Sequence, residues 1–320
     1  MKFLIIGGGG MVGQKLAFSL SRQPLQTNQT VSMFDLQFPK NGAPGEQIKG
    51  NVTDENVIAK LAAMRPDIIF HLACIPSGGA EADFDLGWDV NVAAFRRFLE
   101  AFRAEVEASE NSYHPRIIFT SSIAVFGAPF PDAIGDDFFQ SPQTSYGAQK
   151  AISEFMLSDY IRKGFFDGLS IRLPTICVRP GKPNSAASSF FSGIIREPLN
   201  GVEAALPVPA SVRHWHASPR SAAGFLRHAA TTDLSPLGTR RALNMPGVSC
   251  TVEEQIEALR QVAGQSAVDL IQHKPNDAII KIVDGWPRNF DPLRALSMGF
   301  EADKDFRSII ETYISDDMNA

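Results

Sequence analysis

The chain has 320 residues, of which 44% are hydrophobic, and a formal charge of -5 at pH 7; that is ample apolar material for one large or two moderate buried cores. The acidic balance argues against a nucleic-acid partner, and the chain lacks the run of about 18 apolar residues that spans a membrane. Cys74, Cys177 and Cys250 form no C-x-x-C pair and leave an odd count, so neither a disulfide framework nor a zinc site is indicated. The apolar start, Phe3 to Ile6, is too short for a secretory segment and runs straight into glycines. A cytoplasmic protein is expected.

Lys2 to Ile6 reads as a strand, followed by Gly7-Gly8-Gly9-Gly10-Met11-Val12-Gly13 and an amphipathic stretch. Strand, glycine turn and helix in that order form a dinucleotide cradle, because glycines let the backbone approach a pyrophosphate at a helix N-terminus. Gly8, Gly10 and Gly13 fit G-x-G-x-x-G, whereas Gly7, Gly10 and Gly13 fit G-x-x-G-x-x-G. A second strand, Val31 to Asp35, ends in a carboxylate 22 residues beyond Gly13. Such an acid accepts from the ribose hydroxyls of NAD and repels the 2′-phosphate of NADP; Leu36 and Gln37 follow instead of an arginine. NAD is therefore the expected cofactor.

Further strands are expected near 67–71, 116–121 and 169–173, and helices near 11–22, 54–64, 86–108 and 145–163. Residues 37–50, rich in glycine and proline, read as a loop. Alternation of strand and helix predicts an α/β fold: a Rossmann-type, doubly wound parallel sheet covered on both faces. The pattern becomes irregular after Pro174, with loop residues at Pro180-Gly-Lys-Pro-Asn184 and helices near 251–263 and 303–316. This predicts a cofactor-binding domain over 1–174 and a smaller, mainly substrate-binding lid over 175–320, with segments around 211–245 returning to the first.

Tyr146 and Lys150 lie four apart in the helix expected from Ser145, so both project from one face. Ser122 precedes Tyr146 by 24 residues. Free tyrosine ionises near pH ~10, and a tyrosine that removes an alcohol proton near neutrality needs a positive neighbour. Lys150 is that neighbour. A hydroxyl, a phenol and an ammonium around one carbonyl carbon make a hydride-transfer site.

With these motifs the chain resembles the extended short-chain dehydrogenase/reductases over nearly its whole length. Gly50-Asn51-Val52-Thr53-Asp54 occupies the place of that family's G-D-h-x-D adenine contact, Arg65 to Ala73 resembles the strand that passes under the cofactor, and Thr120 to Gly127 resembles the S-S-x-x-V-Y-G strand. Asn51 stands where Asp is usual and Phe126 where Tyr is usual. The resemblance selects the glycine register beginning at Gly7 and makes Ser122 the catalytic serine beside Tyr146 and Lys150. It implies cofactor contacts at Gly7, Gly10, Met11, Val12, Gly13, Asp35, Asn51, Val52, Ala73 and Pro174. Longer runs, Ser77 to Gly87, Arg172 to Asn184 and Ser188 to Leu199, look like the D-erythronate dehydrogenases of that branch. That likeness implies oxidation of the C2 hydroxyl of a four-carbon sugar acid with NAD.

A sugar-acid carboxylate calls for an arginine fork. Arg179 and Arg213 both qualify, and Ser77 is a further candidate contact. His214 and His216 share a strand face, but no third ligand lies near them in sequence, so no metal is expected. The expected helices 86–108 and 145–163 carry Phe95, Phe98, Leu99, Phe102, Phe155, Met156 and Leu157, more apolar surface than one sheet contact needs. A homodimer through these helices is expected. A nucleotide-sugar epimerase is the competing enzyme reading, although Ile123 and Ala124 after Ser122 do not suit a dehydratase. A non-catalytic dinucleotide sensor is the third.

Overall fold

The computed structural model describes residues 1–110, 112–181 and 187–318; the Lys182-Pro183-Asn184 part of the expected loop lies outside them. Two compact units share the chain. Residues 1–125, 144–172 and 223–243 form the first, and 126–143, 173–222 and 244–320 the second. Residues 126–143 thus belong with the second unit, and the returning stretch is 223–243 rather than the wider 211–245.

Seven strands build the sheet of the first unit: β1 (Lys2–Ile6), β2 (Thr30–Asp35), β3 (Glu46–Lys49), β4 (Ile68–His71), β5 (Arg116–Ser122), β6 (Asp167–Leu173) and β7 (Ala242–Asn244). Only the terminal Leu173 and Asn244 fall beyond the unit's limits. Their order is β7-β6-β5-β4-β1-β2-β3, and every pairing from β3 through β5 is parallel. The chain fills one side of β1 and then returns to fill the other, so a topological switch point lies between β1 and β4. Phe3, Leu4, Ile5 and Ile6 are all buried, as a strand covered on both faces requires.

β3 corrects the reading of 37–50 as loop. Its Glu-Gln-Ile-Lys sequence is mostly exposed and carries no strand pattern, yet Phe34 pairs with Ile48 and Asp35 with Lys49. A short, charged edge strand is defined by its neighbour's backbone rather than by its side chains.

The helices of this unit are α1 (Met11–Arg22), α2 (Glu55–Ala63), α3 (Ser77–Ala82), α4 (Phe84–Trp88), α5 (Ala94–Ala108), α6 (Ser145–Arg162) and most of α7 (Pro219–Thr231), which begins in the second unit. The single helix expected over 86–108 is α4, a π-helical turn at Asp89–Ala93, and α5. The π turn carries buried Asn91, whose side chain accepts from the Ile75 amide at 2.8 Å, donates to the Ile75 carbonyl at 3.0 Å and donates to Gln149 at 2.7 Å. At the start of α6, the Thr144 hydroxyl accepts from the Gly147 amide at 3.1 Å, and the Glu81 carboxylate accepts from the Ser145 amide at 2.6 Å. Both acceptors suit the positive end of the helix dipole.

Phe95, Phe98, Leu99, Phe102 and Leu157 are not a surplus apolar face. They fill the core of their own unit with Leu4, Ile6, Phe34, Ile69, Ile117 and Phe119. Of the seven residues read as surplus, Phe155 alone is exposed.

The second unit holds a separate core around Phe191, Ile194, Ile195, Leu206, Leu259 and Ile309. A three-stranded sheet of Thr175–Ile176, Arg213–Ala217 and Val248–Thr251 lies in it. The two expected helices appear at Val252–Ala263 and Phe306–Tyr313. Among the described residues, no helix is long and apolar enough to cross a membrane.

Phe98 is 1% exposed, stacks on Phe95 and packs tilted against Phe102. Phe98→Ala should lower unfolding stability by about 3–5 kcal/mol, read from urea denaturation; a loss below about 1 kcal/mol would place the ring outside the core.

Candidate active site

The parallel register brings the C-terminal ends of β1, β2, β4 and β5 to one edge of the sheet: Ile6 pairs with Phe34 and with His71, and His71 with Phe119. Gly7, Asp35, Ala73 and Ser122 therefore emerge along a single rim, where ligands bind open α/β sheets.

The glycine run is shaped by packing. Gly7 has φ +88, and a Cβ on it would lie 2.6 Å from the Ala73 nitrogen; one on Gly13 would lie 2.4 Å from the Gly7 carbonyl oxygen. Gly8 and Gly9 are equally closed, by Met33 and by the Gln37 carbonyl. Gly10, the N-cap of α1, is different: its nearest neighbour is 3.4 Å away. The open side of the turn is thus at Gly10, and no side chain caps α1. An anion fits such a terminus, since the first turn of a helix leaves amide donors unmatched.

Asp35 Oδ2 accepts from the Gly9 amide at 2.9 Å and Oδ1 from the Leu36 amide at 2.7 Å. These bonds aim the carboxylate at the glycine turn, and its remaining lone pairs suit two ribose hydroxyls. Asn51 lies at the next strand end, where its Oδ1 accepts from the Thr53 amide at 3.1 Å. The Asn51 oxygen thus closes a turn with one lone pair, and its second lone pair and the amide donors remain for adenine. Val52 packs partly against the core. Ala73 donates its amide to the Ile6 carbonyl at 3.1 Å and lies against Gly7. The residues present fit a dinucleotide.

Helix α6 packs against β5 and the turn that follows it, which sets Tyr146 and Lys150 beside the strand ending in Ser122. Lys150 is buried, and its Nζ donates to the Thr120 carbonyl at 2.7 Å. The same nitrogen lies 4.6 Å from the Phe119 ring centre and 5.6 Å from that of Tyr146. Burial pushes the ammonium below its ordinary pKa, against the opposing pull of Cys74 and Glu154. Ser122 Oγ accepts from the Ala124 amide at 3.1 Å. Ser121, the neighbour on the other face, is buried.

Ser77 opens helix α3 and sits in the first unit. Pro174, Arg179 and Arg213 belong to the second. Arg179 Nε donates to the Ile176 carbonyl at 2.8 Å. Arg213 donates to the Ser249 carbonyl at 3.1 Å and pairs with Glu254 at 3.1 Å. Phe126, in place of the family's tyrosine, is buried against Phe138 and Phe290.

His214 and His216 are core residues. His214 Nδ1 meets the Pro287 carbonyl at 2.8 Å, so it donates there, and Nε2 accepts from the Thr175 hydroxyl at 2.7 Å. Burial lowers the His214 pKa to about 4 and holds His216 well below the usual value. Among the described residues, no group of three or more His, Cys, Asp or Glu could hold a metal ion.

Residues that the motif reading passed over are Glu154 and Arg172. Both are buried and form a two-armed ion pair one turn beyond Lys150. A charged residue at Lys150+4, on the face already assigned to the site, was the available signal.

Residues 3–216 match the model of the NAD dependent epimerase/dehydratase family. The chain belongs to that family. Within the family's range of activities, two curated relatives are similar over their whole length. The D-erythronate dehydrogenase of Cupriavidus necator is 43% identical over 326 residues, covering 99% of this chain and 98% of that protein. The D-erythronate dehydrogenase of Haemophilus influenzae is 40% identical, covering 99% and 100%. A crystal structure from Agrobacterium tumefaciens, described as a nucleoside-diphosphate-sugar epimerase, is 50% identical, with a TM-score of 0.94 and coverage of 100% and 95%. Family membership makes NAD the cofactor of the cradle described above.

The buried histidines predict a pH dependence of stability. His71 is lowered to about 3, by burial first and then by Lys150, and His214 to about 4 by burial. Both folded values lie below the unfolded one, so the unfolded chain binds more protons between them. Their contribution is complete above pH ~6.5 and is lost as pH falls toward 4, on the order of a few kcal/mol together. Urea denaturation at pH 7.5, 6 and 5 measures this; stability that stays level down to pH 5 would mean these rings are not neutral in the core.

Proposed function

We propose that this protein is an NAD-dependent sugar-acid dehydrogenase that oxidises the C2 hydroxyl of D-erythronate to 2-dehydro-D-erythronate. The observation that carries the reading is the buried Lys150 ammonium, held by the Thr120 carbonyl beside the Tyr146 ring, in a chain 40–43% identical to two D-erythronate dehydrogenases over their full length. Tyr146, ionised beside Lys150, takes the C2 hydroxyl proton, and Ser122 holds the same substrate oxygen within reach. NAD, when bound, would supply the acceptor for the hydride from C2. Lys150 also binds the nicotinamide ribose, and Asp35 takes the adenosine ribose hydroxyls. Gly7, Gly10, Met11, Val12, Gly13, Asn51, Val52, Ala73 and Pro174 complete the cofactor contacts. Ser77 and one of Arg179 and Arg213 bind the rest of the acid, the arginine at its carboxylate. The substrate-binding role falls mainly to the second unit.

Nucleotide-sugar epimerisation is the second reading, favoured by the description of the 50% identical structure. The two separate on cofactor balance. A dehydrogenase releases NADH with a free four-carbon acid, whereas an epimerase interconverts a UDP-sugar with no net NADH. Absorbance at the NADH band across four- to six-carbon aldonic and uronic acids is the test, and turnover confined to UDP-sugars would overturn the first reading. In the active assay, Tyr146→Phe should lower kcat by at least ~10² with little change in NAD affinity; near-normal turnover would remove Tyr146 from the mechanism.

Cofactor preference rests on Asp35. NADP would bring its 2′-phosphate against that carboxylate, so NAD should win by on the order of 10² or more in kcat/KM. Asp35→Ser should narrow the gap; an unchanged preference would show that another group discriminates.

The working form is a homodimer and the setting cytoplasmic. Support for the dimer is narrower than the seven-residue surplus once expected: Ile152 and Phe155, at i and i+3 on α6, are 36% and 67% exposed. Light scattering at micromolar concentration should give twice the chain mass, and a monomer would reject the pairing.

A further inference from the structure

Lys150 poses an electrostatic problem that its own hydrogen bond does not solve. It is 2% exposed, and its Nζ donates to the uncharged Thr120 carbonyl and meets the Cys74 side chain. Desolvation at this depth favours the neutral amine, while the role proposed above requires the ammonium. The titratable and charged groups around it come from three strands and its own helix. β4 and the residues after it supply His71 and Cys74, β6 supplies Arg172, and α6 supplies Tyr146 and Glu154; β5 offers only the Thr120 carbonyl and the Phe119 ring. With its pKa lowered to about 3, His71 is neutral near pH 7. Glu154 is the carboxylate of the set, one helical turn from Lys150 on the same buried face.

We propose that Glu154, fastened by Arg172, is a positioning residue whose buried negative charge keeps Lys150 cationic and so keeps Tyr146 competent as a base. The proposal rests on the role assigned to Lys150 above. Arg172 grips the carboxylate with two arms, Nε to Oε1 at 2.9 Å and a terminal nitrogen to Oε2 at 2.8 Å. A two-armed grip fixes the orientation of a carboxylate as well as its charge. Glu154 is 2% exposed and Arg172 9%, so water screens neither, and both charges act on Lys150 at low effective dielectric. The pair is close to neutral as a whole, but its negative end is the member on α6.

The consequence has a definite sign. Removing the carboxylate charge strips Lys150 of the one carboxylate that favours its cation and leaves the Arg172 cation uncompensated. Lys150 then gives up its proton at lower pH. Tyr146, without a cationic neighbour, ionises at higher pH, and oxidation requires it ionised. The acid limb of the kcat/KM profile for oxidation should therefore move to higher pH.

The test uses the full-length protein in a Cys74→Ala background, which removes one titratable neighbour. The Lys150 13Cε signal, assigned by its loss in Lys150→Met, is titrated in the parent and in Glu154→Gln and Glu154→Asp. A midpoint lower by about one pH unit or more in Glu154→Gln, and retained in Glu154→Asp, is the expected result. A midpoint that does not move in Glu154→Gln overturns the proposal, even if activity falls, because a packing role alone would leave it in place. Should Glu154→Gln not fold, Arg172→Gln keeps the carboxylate and removes the cation. Its midpoint should then rise, and an unchanged or lower value overturns the proposal. This readout does not depend on turnover. Full activity in Lys150→Met would defeat the functional reading instead, so the two failures are distinguishable.

Discussion

An ammonium group sealed from water must be compensated by its surroundings or lose its proton, and Lys150 is such a group. Its hydrogen bond to the Thr120 carbonyl ties α6 to β5, and the Thr120 hydroxyl in turn donates to the His71 carbonyl at 3.1 Å, tying β5 to β4. The aromatic rings at this point, Phe95, Phe98 and Phe119, crowd around His71. Apolar packing and polar anchoring therefore converge where the sheet edge meets the helix. The core makes the lysine's environment dry, and dryness is what gives a charge there a strong hold on a neighbouring phenol.

The same edge shows why a binding turn needs glycine for more than one reason. At Gly7, Gly8, Gly9 and Gly13 a side chain would collide with backbone or with Met33, so the demand comes from inside the protein. At Gly10 the space is open, so the demand comes from whatever approaches from outside. Asp35 is held to the turn by the Gly9 amide, which ties the acid proposed for the ribose to the loop proposed for the pyrophosphate.

The long periodic elements were legible. β1, β2, α1 and α6 fall within a residue or two of their expected limits, because each combines an apolar pattern with a glycine turn or a cap. What escaped was set by partners rather than by local sequence. β3 is a strand because β2 lies beside it, and the π turn at Asp89–Ala93 accompanies the bonds Asn91 makes to a distant loop. The phenylalanines of α5 were visible as apolar but not as interior, since periodicity shows that a face is buried without showing what buries it. Ser122, Tyr146 and Lys150 were legible by spacing. Glu154 was signalled only by its place four residues after Lys150, and Arg172 not at all, because an ion pair between a helix and a strand leaves no short motif.

The proposed roles account for relatives described as dehydrogenases and as an epimerase standing at 40–50% identity to one chain. Both chemistries begin with removal of a hydroxyl proton and departure of a hydride from the same carbon. The residues proposed for this step, Ser122, Tyr146, Lys150 and the glycine turn, lie in the first unit. The outcome then depends on whether the oxidised product leaves or is held for the hydride to return. Retention is a matter of binding energy spent on parts of the substrate that do not react. A nucleotide offers a large non-reacting part, whereas a four-carbon acid offers a carboxylate and two hydroxyls. If the proposed carboxylate contact is made by Arg179 or Arg213, both in the second unit, it is there that the two activities would diverge, and the reacting centre alone would not distinguish them.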